Sequence, residues 1–152
     1  SINIVRTRCR IKNLGGENRL VHRINPYRRK RGFIMSKVVM LIPGEPANVA
    51  DIDLTLEDMQ KVVDGRIEVV YPFSDPVALV CNEEGKVIHL PLNRALRDDD
   101  GNIYDVIAGT AFICGIGEEN FTDVPDNLLQ KYLNMFEKPN TFLNIDGRVI
   151  VF

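Results

Sequence analysis

Residues 38–65 have the sequence VVMLIPGEPANVADIDLTLEDMQKVVDG, which brings an apolar strand and a capped helix close together in the chain. The first five residues are apolar and rich in β-branched side chains, and Pro43-Gly44 follows them, so this run predicts a buried strand. Thr55 is a good N-cap residue with Asp58 three positions later, and Gly65 supplies a C-terminal stop. The helix between them is too short to be stable alone, so we expect it to pack on a sheet.

The chain on either side of this helix contains further loop and strand signals. Residues 43–48 are rich in Pro and Gly and predict a loop, and the alternating residues 67–71 predict a strand. The apolar runs at 77–81 and 86–90, which are separated by a short Gly-containing segment, predict a hairpin. Another strand is predicted at 106–113, around Gly109.

The C-terminal part contains a second helix and a second hairpin. An apolar stripe at 125–137 predicts the helix, and Pro139 ends it. Residues 142–145 and 148–152 flank Asp146-Gly147 and predict a terminal hairpin. Together these signals predict an α+β fold, in which a small mixed or antiparallel sheet packs with two helices and an irregular basic arm precedes it.

The net charge of −2 over 152 residues hides two segments of opposite charge. Residues 1–34 contain ten Lys or Arg and one acid, whereas residues 35–152 contain the other nine bases and twenty acids, which gives −11. Met35-Ser36-Lys37 resembles the start of a bacterial protein. The codons for residues 30–35 can contain a purine-rich ribosome-binding site a few bases before the ATG of Met35. We therefore interpret 1–34 as a non-native extension, either translated upstream sequence or residues added to the chain, and 35–152 as a single domain. The alternative is a native arm, from Arg6 to Arg31, that binds nucleic acid.

Several classes of site and location are disfavoured by the sequence. No stretch is apolar enough to span a bilayer and no secretion signal is visible, so we expect no membrane contact and a cytoplasmic location in a bacterial host cell.

Cys81 and Cys114 lie in apolar runs and predict buried, reduced thiols. His89 is expected on a strand at 86–90, and the acidic run at 98–102 does not fit the register of a calcium loop. We predict no cofactor and no metal.

The polar pair Asn93 and Arg94 directly follows an apolar run and is the main candidate for a binding site. Arg94 could bind a carboxylate or phosphate through its forked guanidinium, and Asn93 supplies a donor and an acceptor. The alternative is an Asn turn beside a surface Arg. Glu68 and Tyr71, from the strand predicted at 67–71, complete the candidate binding residues, and no catalytic residue is predicted.

Four segments, in order, resemble a known family: IEVVY at 67–71, VALVCNEEGK at 77–86, LPLNRAL at 90–96 and IAGTA at 107–111. The family is a domain of unknown function, DUF3846, of phages and bacterial mobile elements, and the resemblance covers roughly residues 36–115. The acidic residues at 98–104 depart from the family pattern. The resemblance implies an accessory role in a phage or plasmid, but it implies no chemistry.

These observations lead to two functional hypotheses of different classes. The first is a non-enzymatic accessory protein that binds a small polar ligand or nucleotide near Asn93 and Arg94 and counters a host defence. The alternative is an acidic interaction module that mimics DNA and binds a host nucleic-acid-binding protein. An enzyme ranks below both, because no residue has neighbours that would tune it for acid–base work. Sheet edges in a domain of this size also make a homodimer reasonable.

Overall fold

The computed structural model describes residues 2–4 and 35–152, and this part of the chain forms two helices and eleven strands. The helices are α1 (Leu56–Val63) and α2 (Asp126–Met135). The strands are β1 (Ile2–Ile4), β2 (Ser36–Leu41), β3 (Asn48–Ile52), β4 (Ile67–Val70), β5 (Val77–Asn82), β6 (Leu92–Arg97), β7 (Ile103–Ala108), β8 (Ala111–Ile116), β9 (Phe121–Thr122), β10 (Phe142–Ile145) and β11 (Arg148–Val151). The α+β class expected from the sequence is confirmed.

The main sheet contains six strands and every pairing in it is antiparallel. The order is β3-β2-β8-β5-β4, and the short β9 also pairs with β8. β8 lies at the centre, where Ile113 pairs with Val39 of β2 on one side and with Leu79 of β5 on the other. β5 is buried along its whole length. Such continuous burial requires cover on both faces of the sheet.

Each face of the main sheet buries its own apolar cluster. On one face α1 packs through Met59 and Val63, which are 0% and 1% exposed. On the opposite face α2 packs through Tyr132 and Phe136, and the hairpin formed by β6 and β7 adds Leu96 to the same cluster. The domain therefore has three layers, with α1 on one side of the sheet and with α2 and the β6–β7 hairpin on the other.

A second, three-stranded sheet packs on the outer side of the β6–β7 hairpin. Its order is β1-β11-β10, and its inner side contributes Val151 and Phe142 to a small cluster with Val106 of β7. The predicted terminal hairpin is confirmed. Its turn residues Asp146 and Gly147 both have positive φ, at 52° and 78°, as a two-residue turn of this kind requires.

β1 is the described part of the predicted basic arm. It pairs antiparallel with β11, with Ile2 opposite Val151, so these three residues form a strand where an irregular arm was expected. This strand belongs to the three-stranded sheet and not to the six-stranded one. The basic residues from Arg6 to Arg31 lie outside the described residues, so the origin of the arm and its binding of nucleic acid stay predictions.

The capping signals around α1 are confirmed with one shift of position. The Thr55 hydroxyl accepts a hydrogen bond from the backbone N–H of Asp58 at 3.2 Å. At the other end the left-handed residue is Asp64, with φ 58°, one position before the predicted Gly65. Gly65 still donates its N–H to the carbonyl of Gln60 at 3.0 Å. Both ends of this short helix are therefore satisfied locally, as its sequence indicates.

The predicted hairpin between 77–81 and 86–90 is wrong. β5 pairs with β4 on one edge and with β8 on the other, so no edge of β5 remains for residues 86–90. These residues instead form tight turns, in which Leu90 N–H donates to the Gly85 carbonyl at 2.9 Å. His89, expected on a strand, is exposed there with φ 59°.

One predicted strand is wrong in its extent, and a strand that was not predicted follows a confirmed loop. The strand predicted at 106–113 is two strands, β7 and β8, because Gly109 has φ 81° and turns the chain from one sheet into the other. The loop predicted at 43–48 ends where β3 begins, and β3 pairs with β2 from Asn48 to Ile52. β3 is an edge strand with mostly exposed or half-buried residues, so it lacks the apolar run that marks a buried strand.

The two described cysteines, Cys81 and Cys114, are free and buried, as the sequence predicts. Burial raises the pKa of the Cys114 thiol. Among the described residues, no helix combines the length and apolar character needed to cross a bilayer.

Replacing Thr55 by Ala removes the side-chain acceptor at the start of α1. We expect the free energy of unfolding of the full chain to fall by about 1 kcal/mol, measured by urea unfolding. Thr55→Ser keeps a hydroxyl and should remain within about 0.5 kcal/mol of the original. Equal losses in both variants would show that the hydroxyl does not cap the helix.

Candidate functional site

Asn93 and Arg94 lie on β6 and are both 0% exposed. The sequence offered a surface Arg or a ligand contact, and the structure buries the pair between the main sheet, the β6–β7 hairpin and α2. Arg94 is the largest fully buried side chain among the described residues. A fully buried arginine must satisfy five N–H donors, so its partners decide what it does.

The donors of Arg94 are all directed at acceptors of the protein itself. Nε and Nη2 donate to the Phe136 carbonyl at 3.2 and 2.9 Å, and Nη2 also donates to the Glu45 carbonyl at 2.5 Å. Nη1 donates to the side-chain oxygen of Asn93 at 2.9 Å and to the Ile42 carbonyl at 3.4 Å. Arg94 therefore ties β6 to the loop after β2 and to the end of α2.

Asn93 extends these connections on the other side. Its amide donates to the carbonyls of Leu41 and Gly109, both at 2.8 Å, while its oxygen accepts from Arg94. Leu41 ends β2 and Gly109 forms the corner between β7 and β8. The pair thus connects five separate points of the backbone, and we name Asn93 and Arg94 the buried polar pair. Contact of either side chain with a ligand stays a prediction.

The positive charge of Arg94 has no carboxylate partner among residues 35–152, because none of the ion pairs there includes it. Burial lowers the pKa of its guanidinium, but arginine remains protonated in proteins. Phe136 directly follows the last residue of α2, where the helix dipole supplies about half a negative elementary charge. Carbonyl oxygens and this dipole therefore offset the charge only in part.

Arg94 also lines a cleft of about 640 Å³. Three segments form its walls: residues 72–75 after β4, residues 94–101 of β6 and its turn, and residues 131–140 of α2 and the chain after it. Clefts of about 300–1,000 Å³ are typical of small-molecule sites. This cleft is the candidate functional site.

One wall of the cleft is held by the carboxylate of Asp75. Asp75 Oδ2 accepts from the Tyr132 hydroxyl at 2.5 Å and lies 2.6 Å from Lys131 Nζ. The hydrogen bonds from Lys131 and Tyr132 hold the pKa of Asp75 below its ordinary value. Burial, together with the Asp75 carboxylate, raises the pKa of Tyr132. The loop after β4 is thus fixed to α2 by an ionised acid and a neutral phenol.

Aromatic side chains form the apolar part of the same wall. The Phe73 ring lies 4.7 Å from that of Tyr132 and 6.0 Å from that of Phe136, between centroids. Met135 is half exposed beside them. Sequence reasoning assigned Tyr132 and Phe136 only to the apolar stripe of a helix and did not single out Asp75 or Phe73. Their proximity depends on chain segments 57 residues apart, so no local motif could reveal it.

Of the four predicted binding residues, only Arg94 lines this cleft. Glu68 lines a separate small pocket near the turn at 83–87, and Tyr71 packs in the apolar cluster on the α1 side of the sheet. The candidate residues are therefore spread over three places. Among the described residues, no group of three or more His, Cys, Asp or Glu side chains is arranged to hold a metal ion.

Because Arg94 is buried and Arg97 is exposed, an Arg→Lys substitution on β6 should change the free energy of unfolding by very different amounts at the two positions. Arg94→Lys cannot reach the carbonyls of Phe136 and Glu45 and the Asn93 oxygen together, so we expect a loss of about 2–4 kcal/mol in the free energy of unfolding. Arg97→Lys, at an exposed site on the same strand, should change it by less than about 0.5 kcal/mol. Urea unfolding of both full-length variants measures the difference, and similar small effects would contradict the structural role of Arg94.

The lowered pKa of Asp75 predicts a contribution to stability that depends on pH. The carboxylate binds a proton less readily in the folded than in the unfolded protein, so its stabilisation is complete above about pH 4 and is lost as the pH falls further. We expect Asp75→Asn to lose stability at neutral pH and to show a shallower decline between about pH 5 and pH 3. The midpoint of urea unfolding, measured at several pH values in this range, tests the prediction, and Asp99→Asn at an exposed site is the control. Unchanged pH dependence in Asp75→Asn would contradict the assignment.

The chain was compared with family models, curated proteins and solved structures. The model described as Domain of unknown function (DUF3846) matches residues 35–137, which include the main sheet, both helices and every wall of the cleft except Lys138 and Asn140. Neither the curated proteins nor the solved structures gave a match. The matched region extends beyond the segments that first suggested the resemblance and covers well over half of the sequence. The chain therefore belongs to the DUF3846 family.

Proposed function

We propose that this protein is a non-enzymatic accessory protein of a phage or mobile element that binds a small polar ligand or nucleotide in the cleft beside α2. The observation that carries the proposal is the cleft of about 640 Å³, which combines an aromatic wall with several charged side chains. Small-molecule sites commonly combine apolar surface with a few converging polar groups.

The rigidity of the walls supports binding without rearrangement. Asp75 fixes the loop after β4 to α2, and Arg94 fixes β6 to the end of α2. A preformed cleft avoids the ordering cost that a flexible site incurs when a ligand binds. These walls are thus held by polar contacts within the protein itself.

The side chains of the cleft support binding more than catalysis. The described residues that line it include no histidine and no cysteine. Asp75 is held ionised by hydrogen bonds from Lys131 and Tyr132, which lowers its strength as a base. The neutral Tyr132 is fully buried, and its hydroxyl donates to Asp75.

The proposal also includes a biological setting. It rests on the resemblance to sequences of phages and mobile elements, and it would give the cleft a role in removing a signalling molecule from a host defence. A protein that only sequesters a ligand needs affinity and no turnover. That requirement agrees with a cleft that is polar, preformed and without a tuned acid or base.

A ligand screen on the full chain, read as a shift in melting temperature, tests the proposal. Nucleosides, nucleotides, cyclic nucleotides, amino acids and sugars form the panel, and a ligand at 100 times its Kd adds about 2.7 kcal/mol of stability. We expect at least one compound to bind. Met135→Trp, which fills the cleft, should abolish the shift, whereas Leu143→Trp, a similarly exposed site on β10, should keep it. No shift across the panel, or equal binding by Met135→Trp, would contradict the proposal.

The second candidate, an acidic module that binds a host nucleic-acid-binding protein, has one structural observation in its favour. Of the twenty acids in residues 35–152 only Asp105 is buried, so the other nineteen contribute to the surface. A surface of this charge attracts basic partners. In this case DNA should compete with the chain for the same partner, and Met135→Trp should leave binding unchanged.

A further inference from the structure

The unpaired cations of residues 35–152 are concentrated in the cleft. Of the nine bases in this segment, Lys61, Arg66, Lys86 and Lys131 form ion pairs. The other five form no ion pair with a described residue, and three of these five line the cleft: Arg94, Arg97 and Lys138. Twenty acids are available in the same segment, so unpaired cations gathered in one cleft are unexpected for a charge distribution set by solubility alone.

Three acids line the cleft, Asp75, Asp98 and Asp99, and none of them forms an ion pair with these three cations. Asp75 is occupied by Lys131 and Tyr132. Asp98 Oδ1 accepts from the backbone N–H groups of Asp100 and Asn102, at 3.0 and 2.8 Å, and so supports its own turn. No carboxylate of the described residues lies within 4.0 Å of a charged nitrogen of Arg94, Arg97 or Lys138.

The position of each cation suggests how they act together. Arg94 is buried at the wall of the cleft, where the low dielectric strengthens the effect of its charge on anything bound nearby. Lys138 is exposed and can turn toward a bound group. Arg97 is also exposed; its Nη1 donates to the Gly101 carbonyl at 2.8 Å, and its other nitrogens can face a bound group. A guanidinium and an ammonium group are the usual protein ligands of a phosphate.

We propose that the ligand of the cleft carries a phosphate group, which Arg97 and Lys138 bind and which supplies the counter-charge that Arg94 lacks among the described residues. This inference rests on the proposed function, since it identifies the ligand of the same cleft. The cleft is much larger than a phosphate ion, so an organic part of the ligand fills the remaining space against Phe73 and Met135.

Calorimetric titration of the full chain with adenosine monophosphate, ribose 5-phosphate, inorganic phosphate and adenosine separates the contributions. At constant ionic strength we expect both phosphate esters to bind, and adenosine to bind at least about 10-fold more weakly than its monophosphate, which corresponds to about 1.4 kcal/mol. Arg97→Gln and Lys138→Gln should each weaken the esters by a similar factor. Lys61→Gln, at an exposed base outside the cleft, should leave their affinity unchanged.

The outcomes distinguish failure of the inference from failure of the proposed function. If adenosine binds as tightly as its monophosphate, or if Arg97→Gln and Lys138→Gln retain full affinity for the esters, the phosphate assignment is wrong. If uncharged compounds bind the cleft, with loss of binding in Met135→Trp, and the phosphate esters do not, the inference fails while the proposed function stands. If neither kind of compound binds, both are contradicted.

Discussion

The guanidinium group of Arg94 joins three segments of the domain that lie 42 or more residues apart in sequence: β6, the loop after β2 and the end of α2. Removing such an ion from water costs several kcal/mol, and hydrogen bonds to a charged group return about 1.5–3 kcal/mol each. The burial is therefore tolerable only when all its donors are satisfied at once. This requirement fixes the loop and the helix end relative to β6 and leaves them little freedom to move independently.

The cleft depends on the same group in two ways. Its walls include β6 and the end of α2, so the hydrogen bonds that hold these elements also set its width. The charge of Arg94 is only partly offset by carbonyl oxygens and by the helix dipole, so part of a positive charge lies at the wall of the cleft. On a domain whose exterior is acidic, this is a distinct electrostatic environment. The geometry of the cleft and the positive charge at its wall thus have one structural origin.

The parts of the fold that were predicted from sequence are those with local signals. Thr55 caps α1, and Asp146-Gly147 turns the terminal hairpin, because both depend on neighbours a few residues away. Residues 86–90 have the apolar content of a strand, but their conformation is decided by β4 and β8, which occupy both edges of β5. The burial of Arg94 could not be predicted from the sequence either. Arginine is usually exposed, and its partners here are mainly backbone carbonyls, which leave no pattern in the sequence.

Nitrogen-15 NMR of the arginine side chains tests the central claim most directly, because it reports hydrogen exchange at each guanidinium. A buried, fully hydrogen-bonded Arg94 should give an Nε–H signal that exchanges far more slowly than those of exposed arginines, and that signal should be missing in Arg94→Lys. If the signal lost in Arg94→Lys exchanges as fast as that of Arg97, then Arg94 is not the buried connection between β6 and α2, and this account of the fold and its cleft is wrong.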